Sequence, residues 1–471
     1  MTAVAVIDIG KTNQKVLAFD AAGRCLGVER TQIAPLDGPP YRRMDDAAVW
    51  GFVLSALERI GAGFDIAAVV VTGYGSTAAL VDEAGLVLPI ADYEHEPPAD
   101  LVADYAALAP PFAEAFAPTN PAGLTLGRQL HWLKRAYPAE VARAKHLLAH
   151  PQYWAWRLSG VAAAEVTSLG AQTHLWNPRT SAPTGFAERQ GWAALLPPLR
   201  RAWEVLGPIA PEVAAATGLS AATQVLCGIH DSNANYLRYL QGMDAFGTLM
   251  STGTWLIAFS RTCPPADLDP ERDTNTNTDA FGRPVACARF MLGREFALAG
   301  GSHGPLTAAD LQGVIDAGTQ VLPAFTDSGG PVPLSGLKGR TEGPAPQGAT
   351  ARTAAALLYA ALMSAESLRA IRATGPIVID GGFAEAPLFA ELIAALRPDD
   401  EVLVSTEPEG TAAGAALLWR WGERATPVPE LRRVGALGLR NLDAHAAAWR
   451  AAVAASAGSR PPESARPMHK F

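Results

Sequence analysis

The succession of hydrophobic patterns along this chain occurs twice. Residues 4–9, 14–20 and 24–33 read as three consecutive strands, the first two joined by a turn at Gly10 and the second pair by Ala21-Ala22-Gly23. Residues 47–60 then carry Val49, Phe52, Val53, Ala56, Leu57 and Ile60 at helical spacing, and the apolar run 66–71 follows as a buried strand. The second half restates this order. Residues 247–255 and 256–260 form a hairpin around Gly253, a third strand falls at 285–291, a helix at 353–374 and a strand at 377–380. Helix 387–396, strand 401–404 and helix 411–421 complete it. A repeated βββαβαβα order predicts two similar lobes, and the cleft between such lobes is a common place for a ligand.

The length of 471 residues also exceeds one ordinary core. The expected division is a first lobe over 1–228, a second over 229–425 and an extension over 426–471, whose end after Ala455 lacks periodicity and is expected to be disordered. A helical insertion from about 101 to 203 interrupts the first lobe. Its aromatics (Trp132, Tyr137, Tyr153, Trp154, Trp156, Trp176, Trp192, Trp203) read mostly as core, and the Gly/Pro-rich stretch 328–348 reads as loop.

A net charge of −8 without a dense basic run argues against nucleic acid or an anionic membrane as partner. The chain opens directly on a strand pattern, with no leader, so a cytoplasmic protein is expected. Cys25, Cys227, Cys263 and Cys287 are scattered, as free thiols of a reducing compartment would be. His146 and His150 are spaced for one helix face, but no cysteine or acid pair stands near them to complete a metal site.

Four segments carry chemistry. Cys227-Gly-Ile-His-Asp-Ser-Asn-Ala234 ends an apolar stretch in a carboxylate where a strand hands over to a helix, which makes Asp231 a candidate general base; a helix cap is equally compatible with that position. His230 beside it could meet a sugar oxygen or be buried structure. Asp8-Ile-Gly-Lys-Thr12 joins two strands, so it lacks the strand-to-helix setting of a Walker loop. Gly10 would permit close approach of phosphate, Lys11 and Thr12 could meet its oxygens and Asp8 could hold hydrated Mg²⁺, the alternative being an ordinary hairpin turn. Ser251-Thr-Gly-Thr-Trp255 is a second turn of this kind, suited to the β- and γ-phosphates of ATP. Asp380-Gly-Gly-Phe383 passes from strand to helix and could lie against adenosine, while Gly73-Tyr74-Gly75 should line the cleft on the sugar side.

In these motifs, together with Glu409-Gly-Thr-Ala-Ala-Gly-Ala-Ala-Leu-Leu418, the chain resembles the FGGY family of carbohydrate kinases from its first strand to about Gly422. The resemblance implies an α/β fold of two actin-like, ribonuclease H-like lobes, each with a mixed five-stranded sheet, ATP and Mg²⁺ in the cleft, and phosphorylation of a sugar or polyol hydroxyl. Asp231 matches the family's catalytic base, and Asp8 with Asp231 its water-mediated magnesium pair. Gly10, Lys11, Thr12 and Lys15 match the first phosphate turn, Lys15 standing where many members have arginine; Gly253 and Thr254 match the second, and Gly381 and Gly382 the adenosine motif. Gly73, Tyr74, His230 and Asp231 fall at the sugar.

Two departures matter. Ala386 stands where many members have asparagine, and Gly73-Tyr-Gly75 stands where glycerol and xylulose kinases carry bulkier polar or charged groups. The His-Asp pair and the Gly-Thr-Trp turn look most similar to the rhamnulose and fuculose kinases, implying a ketose such as a 6-deoxy-ketohexose phosphorylated at a terminal hydroxyl. A xylulose- or ribulose-like acceptor is the alternative. Rival classes are a sugar sensor of the same fold, to which Ala386 gives some footing and against which Asp8 and Asp231 argue, and an actin-like assembly ATPase. The expected partner is a small sugar, with a homodimer left open.

Overall fold

The computed structural model describes residues 1–242, 246–302, 304–326, 330–332, 338–405, 407–422 and 429–458. β1 (Thr2–Ile9), β2 (Gln14–Phe19) and β3 (Cys25–Thr31) form an antiparallel meander around the Gly10 turn. α1 (Asp46–Gly63) then crosses back to β4 (Asp65–Gly73), which runs parallel to β1. α1 starts where the Asp45 carboxylate accepts the Ala48 amide, and it buries Val49, Val53, Ala56, Leu57 and Ile60.

After the insertion, whose helices include α2 (Leu126–Ala136) and α3 (His150–Ser159), the chain returns to the same sheet. It adds β5 (Val205–Pro208), β6 (Gln224–Leu226) and β7 (Ile229–His230). The order across the sheet is β5-β6-β4-β1-β2-β3, with β7 beside the end of β4.

The second lobe repeats this construction. β8 (Thr248–Thr252), β9 (Leu256–Ser260), β10 (Thr274–Thr278), β11 (Pro284–Phe290), β12 (Ile377–Gly381), β13 (Val402–Ser405) and β14 (Leu431–Val434) lie in the order β14-β13-β12-β8-β9-β11-β10. Strand for strand this matches the first sheet, with β10 added at one edge. Each sheet has seven strands rather than the five expected. Three of the unforeseen ones are edge segments whose sequences hide them: β5 contains Gly207 and Pro208, β10 reads Thr-Asn-Thr-Asn-Thr, and β14 has two arginines between its ends.

Two helices lie between the sheets. α4 (Asp231–Gly242) turns Ala234 and Leu237 toward β1, β2 and β4, and Tyr236 and Tyr239 toward the second sheet. α7 (Gly410–Ala416), which follows the long α5 (Gly348–Ala370) and α6 (Pro387–Leu396), adds Ala412, Ala415 and Ala416 to the first lobe's core. A Cβ on Gly414 would stand 1.8 Å from the Ala234 carbonyl oxygen, so only glycine lets α7 cross α4 there.

The insertion mixes helices with a short strand, His146–Ala149, which pairs with Ala78–Asp82. His146 lies on that strand and His150 opens α3, so the two do not share a helix face as their spacing predicted; strand pairing overrides the local period. Trp132, Tyr153, Trp154, Trp176 and Trp192 are buried, as expected of core.

α8 (Leu442–Gly458) seats Trp449 in the second core, its indole donating to the Val321 carbonyl at 2.7 Å. The segment expected to be disordered after Ala455 thus begins within α8, and residues 459–471 lie outside the described residues, as do 327–329 and 333–337 of the Gly/Pro stretch. All four cysteines are free. No helix among the described residues is long and apolar enough to cross a membrane.

Candidate functional site

Parallel pairing brings the ends of β1, β4 and β7 to one level. Asp8 faces Thr72, Thr72 also faces Ile229, and Gly73 is flanked by Ile9 and His230. Asp231 follows at once as the first residue of α4. Burial and the neighbouring Asp231 push the Asp8 carboxyl up to about 7, with Lys15 opposing them. An acidic pair short of positive charge suits a hydrated divalent cation.

The Asp231 side chain is 29% exposed. Among the described residues its Oδ1 accepts only from Ser232, from the amide at 2.5 Å and the hydroxyl at 3.2 Å. A cap would reach an amide two or three residues on. The carboxylate therefore does not serve as an ordinary helix cap.

His230 is buried, its Nδ1 3.4 Å from Asp231 Oδ1 and without a hydrogen bond. Burial lowers its pKa, which leaves the imidazole neutral at pH 7. The glycines at 73 and 75 have a specific cause. A Cβ on Gly75 would stand 2.7 Å from His230 Nε2, and one on Gly73 3.0 Å from His150 Nδ1. The two imidazoles occupy the volume that larger residues would fill. The Tyr74 ring packs on His150 with centroids 4.3 Å apart and meets Tyr93 edge-on at 5.7 Å. Burial drives His150 to about 3.

The first turn is closed by the Gly10 amide donating to the Asn13 carbonyl at 3.0 Å. Lys11 is paired with Asp92 and lies 4.3 Å above the Tyr93 ring. In the second turn the Gly253 amide donates to the Trp255 carbonyl at 2.9 Å. Lys11 and Thr12 from the first lobe, and Gly253, Thr254 and Gly382 from the second, line one cavity of about 1670 Å³. Phe296, Phe325, Phe383, Ala386 and Leu388 give its far end an apolar wall.

Gly10, Lys15 and Gly381 are not among this cavity's lining residues. Gly381 has φ 87° and a Cβ there would meet the carbonyl oxygen of Thr252, its partner on the neighbouring parallel strand, at 2.0 Å, so the backbone dictates the glycine. Lys15 forms an ion pair with Glu409, the residue that opens α7, which ties β2 to the second lobe's helix.

Asp92 and Tyr93 were not singled out from the sequence, and Glu409 heads one of the family motifs without a role of its own. A dense acidic and aromatic run, Asp92-Tyr-Glu-His-Glu96, is the one local signal that could have pointed to the first two.

Two sheets of matching strand order, with α4 and α7 between them and a cavity edged by a glycine turn from each, define an actin-like two-lobed α/β protein. Models of the FGGY family of carbohydrate kinases match both lobes, the N-terminal domain over residues 3–237 and the C-terminal domain over 244–427. The crystal structure of a carbohydrate kinase from Novosphingobium aromaticivorans superposes with a TM-score of 0.86 at 37% identity, covering 96% of this chain and 98% of that one. The chain belongs to the FGGY family.

Among curated proteins it is 25% identical over 307 residues to the L-xylulose/3-keto-L-gulonate kinase of Escherichia coli (strain K12), a match that covers 61% of this chain and 58% of that protein. It is 25% identical over 244 residues to the putative sugar kinase YoaC of Bacillus subtilis (strain 168), 48% of each. The chain thus spans about half the length of the curated relatives it matches.

Proposed function

We propose that the protein transfers the γ-phosphoryl group of ATP to a hydroxyl of a ketose, with Asp231 as general base. The observation that carries this reading is the setting of Asp231: it projects at the strand ends beside Asp8, and its carboxylate bonds only to Ser232 among the described residues. ATP would lie along the cavity, its phosphates at the amides of Lys11 and Thr12 and of Thr254, while the Gly10 and Gly253 amides hold the two turns closed. Its adenosine would rest on Gly381-Gly382 and the apolar wall that includes Ala386. Lys15 offsets part of the charge of Asp8.

Asp8 and Asp231 would hold Mg²⁺ through water, and the upward shift of Asp8 marks the charge such an ion would satisfy. When bound, the ion offsets the negative charge of the β- and γ-phosphates. Asp231 takes the proton of the attacking hydroxyl as its oxygen bonds to the γ-phosphorus and the bond to the bridging oxygen of ADP breaks. The amides of Lys11, Thr12 and Thr254 donate to the equatorial oxygens in transit. Neutral His230 and Tyr74, beside Gly73, orient the sugar.

The ketose reading is supported by the acceptors in the name of the Escherichia coli relative. Within that class the His230-Asp231 pair and the Gly253-Thr254-Trp255 turn favour a 6-deoxy-ketohexose, whereas the name of the same relative favours a pentulose or a keto sugar acid. ADP release measured across ketoses, aldoses and polyols tests this: the highest kcat/KM is expected with a ketose. Sugar-independent turnover, or preference for a polyol, overturns it.

A further inference from the structure

The run that delivers Asp231 is held from outside its own sheet. β7 has only two residues, and between β6 and β7 the backbone leaves β4. There the Cys227 amide donates to the Glu204 carbonyl at 2.9 Å and the Gly228 amide to the Ala202 carbonyl at 3.1 Å. Gln152, on α3, donates through Nε2 to the carbonyls of Cys227 and Gly228 at 3.2 and 3.3 Å.

The last anchor comes from the insertion. The His230 amide donates to Thr167 Oγ1 at 3.0 Å. That hydroxyl gives its one proton to Glu165 Oε2 at 2.5 Å, and the same carboxylate oxygen takes the amides of Thr167 at 3.0 Å and Ser168 at 3.2 Å. Glu165 is fully buried. A hydroxyl that must donate to one partner and accept from another has a single orientation, so the chain Glu165, Thr167, His230 is directional.

We propose that Glu165 and Thr167 are positioning residues for the base. The carboxylate orients the Thr167 hydroxyl, the hydroxyl fixes the His230 amide, and the fixed amide sets Asp231 one residue on. The proposal rests on the reading of Asp231 as base. It also gives the insertion a role beyond forming core: two of its segments, α3 and 165–168, brace the 227–230 run from one side. The requirement is strict because displacement of a reacting group by about 1 Å can cost on the order of a hundredfold in rate.

Thr167→Val removes the hydroxyl at nearly constant volume, and Thr167→Ser keeps it. The valine variant is expected to lose about 10- to 100-fold in kcat with the KM for ATP within about twofold, while the serine variant stays within about threefold of wild type. Both are compared at a temperature where circular dichroism finds them fully folded. Wild-type kcat in folded Thr167→Val, or equal losses in the two variants, overturns the proposal. Should the valine variant fail to fold, Glu165→Gln takes its place, with a fall in kcat of at least about fivefold at unchanged KM for ATP expected and wild-type kcat overturning it. Loss of turnover in Asp231→Ala with wild-type turnover in Thr167→Val removes only the positioning role. Turnover retained in Asp231→Ala removes the base assignment itself.

Discussion

The turn Asp8-Ile-Gly10 of the first lobe and the turn Ser251-Thr-Gly253 of the second occupy the same place on equivalent strands, yet they end in different chemistry. On the neighbouring parallel strand the pattern reverses: Thr72-Gly73 in the first lobe stands where Asp380-Gly381 stands in the second. Each of these strand pairs thus carries one carboxylate at this level. Asp380 is spent within its own lobe, since its Oδ2 accepts from the Tyr239 hydroxyl at 2.8 Å and from Arg238 at 3.3 Å and its Oδ1 from the Gly381 amide at 2.7 Å. Asp8 faces another acid instead. Duplication supplied two like frames, and the proposed reaction belongs to the one whose carboxylates are not neutralised by the fold.

The strongest way to break this comparison is to remove the acid that has no counterpart. Asp231→Ala is expected to lower kcat for sugar phosphorylation by roughly 10²–10⁴-fold, with ATP binding within about threefold of wild type. Coupled turnover and calorimetric titration with ATP separate the two quantities. A proportionate loss of both would place Asp231 in nucleotide binding or in folding, and the lobes would no longer differ in the way argued.

Next in size is the pair of equivalent glycines. Gly381 has φ 87° and no room for a Cβ against the Thr252 backbone, whereas the nearest atoms to a Cβ on Gly73 are the side-chain Nδ1 of His150 at 3.0 Å and the Ile9 carbonyl at 3.3 Å. Gly381→Ala is expected to cost roughly 2–4 kcal/mol of stability, through strain and backbone displacement. Gly73→Ala should cost less than about 1.5 kcal/mol, because an imidazole can shift by a few tenths of an ångström, and it should raise the KM for sugar instead. Urea unfolding and steady-state kinetics on both variants check this. Equal stability losses would mean that the two strand ends are structurally alike, His150 yielding no more than the Thr252 backbone does.

What could be read from the sequence follows the same division. The apolar runs 4–9 and 66–71 announce central strands because both faces are buried, and Asp231 stands out because a carboxylate closes such a run. β10 gave no sign of itself. Its Thr-Asn-Thr-Asn-Thr sequence is fully buried, but its partners are polar and distant: Asn277 accepts from Asn233 at 3.1 Å, and the Thr276 amide donates to the Phe116 carbonyl at 2.7 Å. In the site, the glycines at 73 and 75 were visible as a departure, while their cause, two histidines from elsewhere in the chain, exists only after folding. Lys15 looked free to meet phosphate because its partner Glu409 is 394 residues away.

The smallest expected effect probes the charge left on the first lobe. Folding holds the Asp8 proton up to about pH 7, whereas the unfolded chain releases it near the ordinary 3.8. Raising the pH through that window therefore favours the unfolded state; the cost is absent below about pH 4, grows to about pH 7 and is constant above it. Asp8→Asn removes the titration, so the stability of the variant relative to wild type should rise by at least about 1 kcal/mol between pH 4.5 and 7.5 in the absence of divalent cations. Urea midpoints at the two pH values give the difference directly, and other titrating groups common to both proteins cancel. Added Mg²⁺ should shrink the difference at pH 7.5 by stabilising the wild type alone, since only the wild type offers the ion both carboxylates. A difference independent of pH would mean that the charge of Asp8 is met by Lys15 and the surrounding dipoles, as that of Asp380 is met by Arg238 and Tyr239, and the two lobes would then be alike in the one respect on which the proposed chemistry depends.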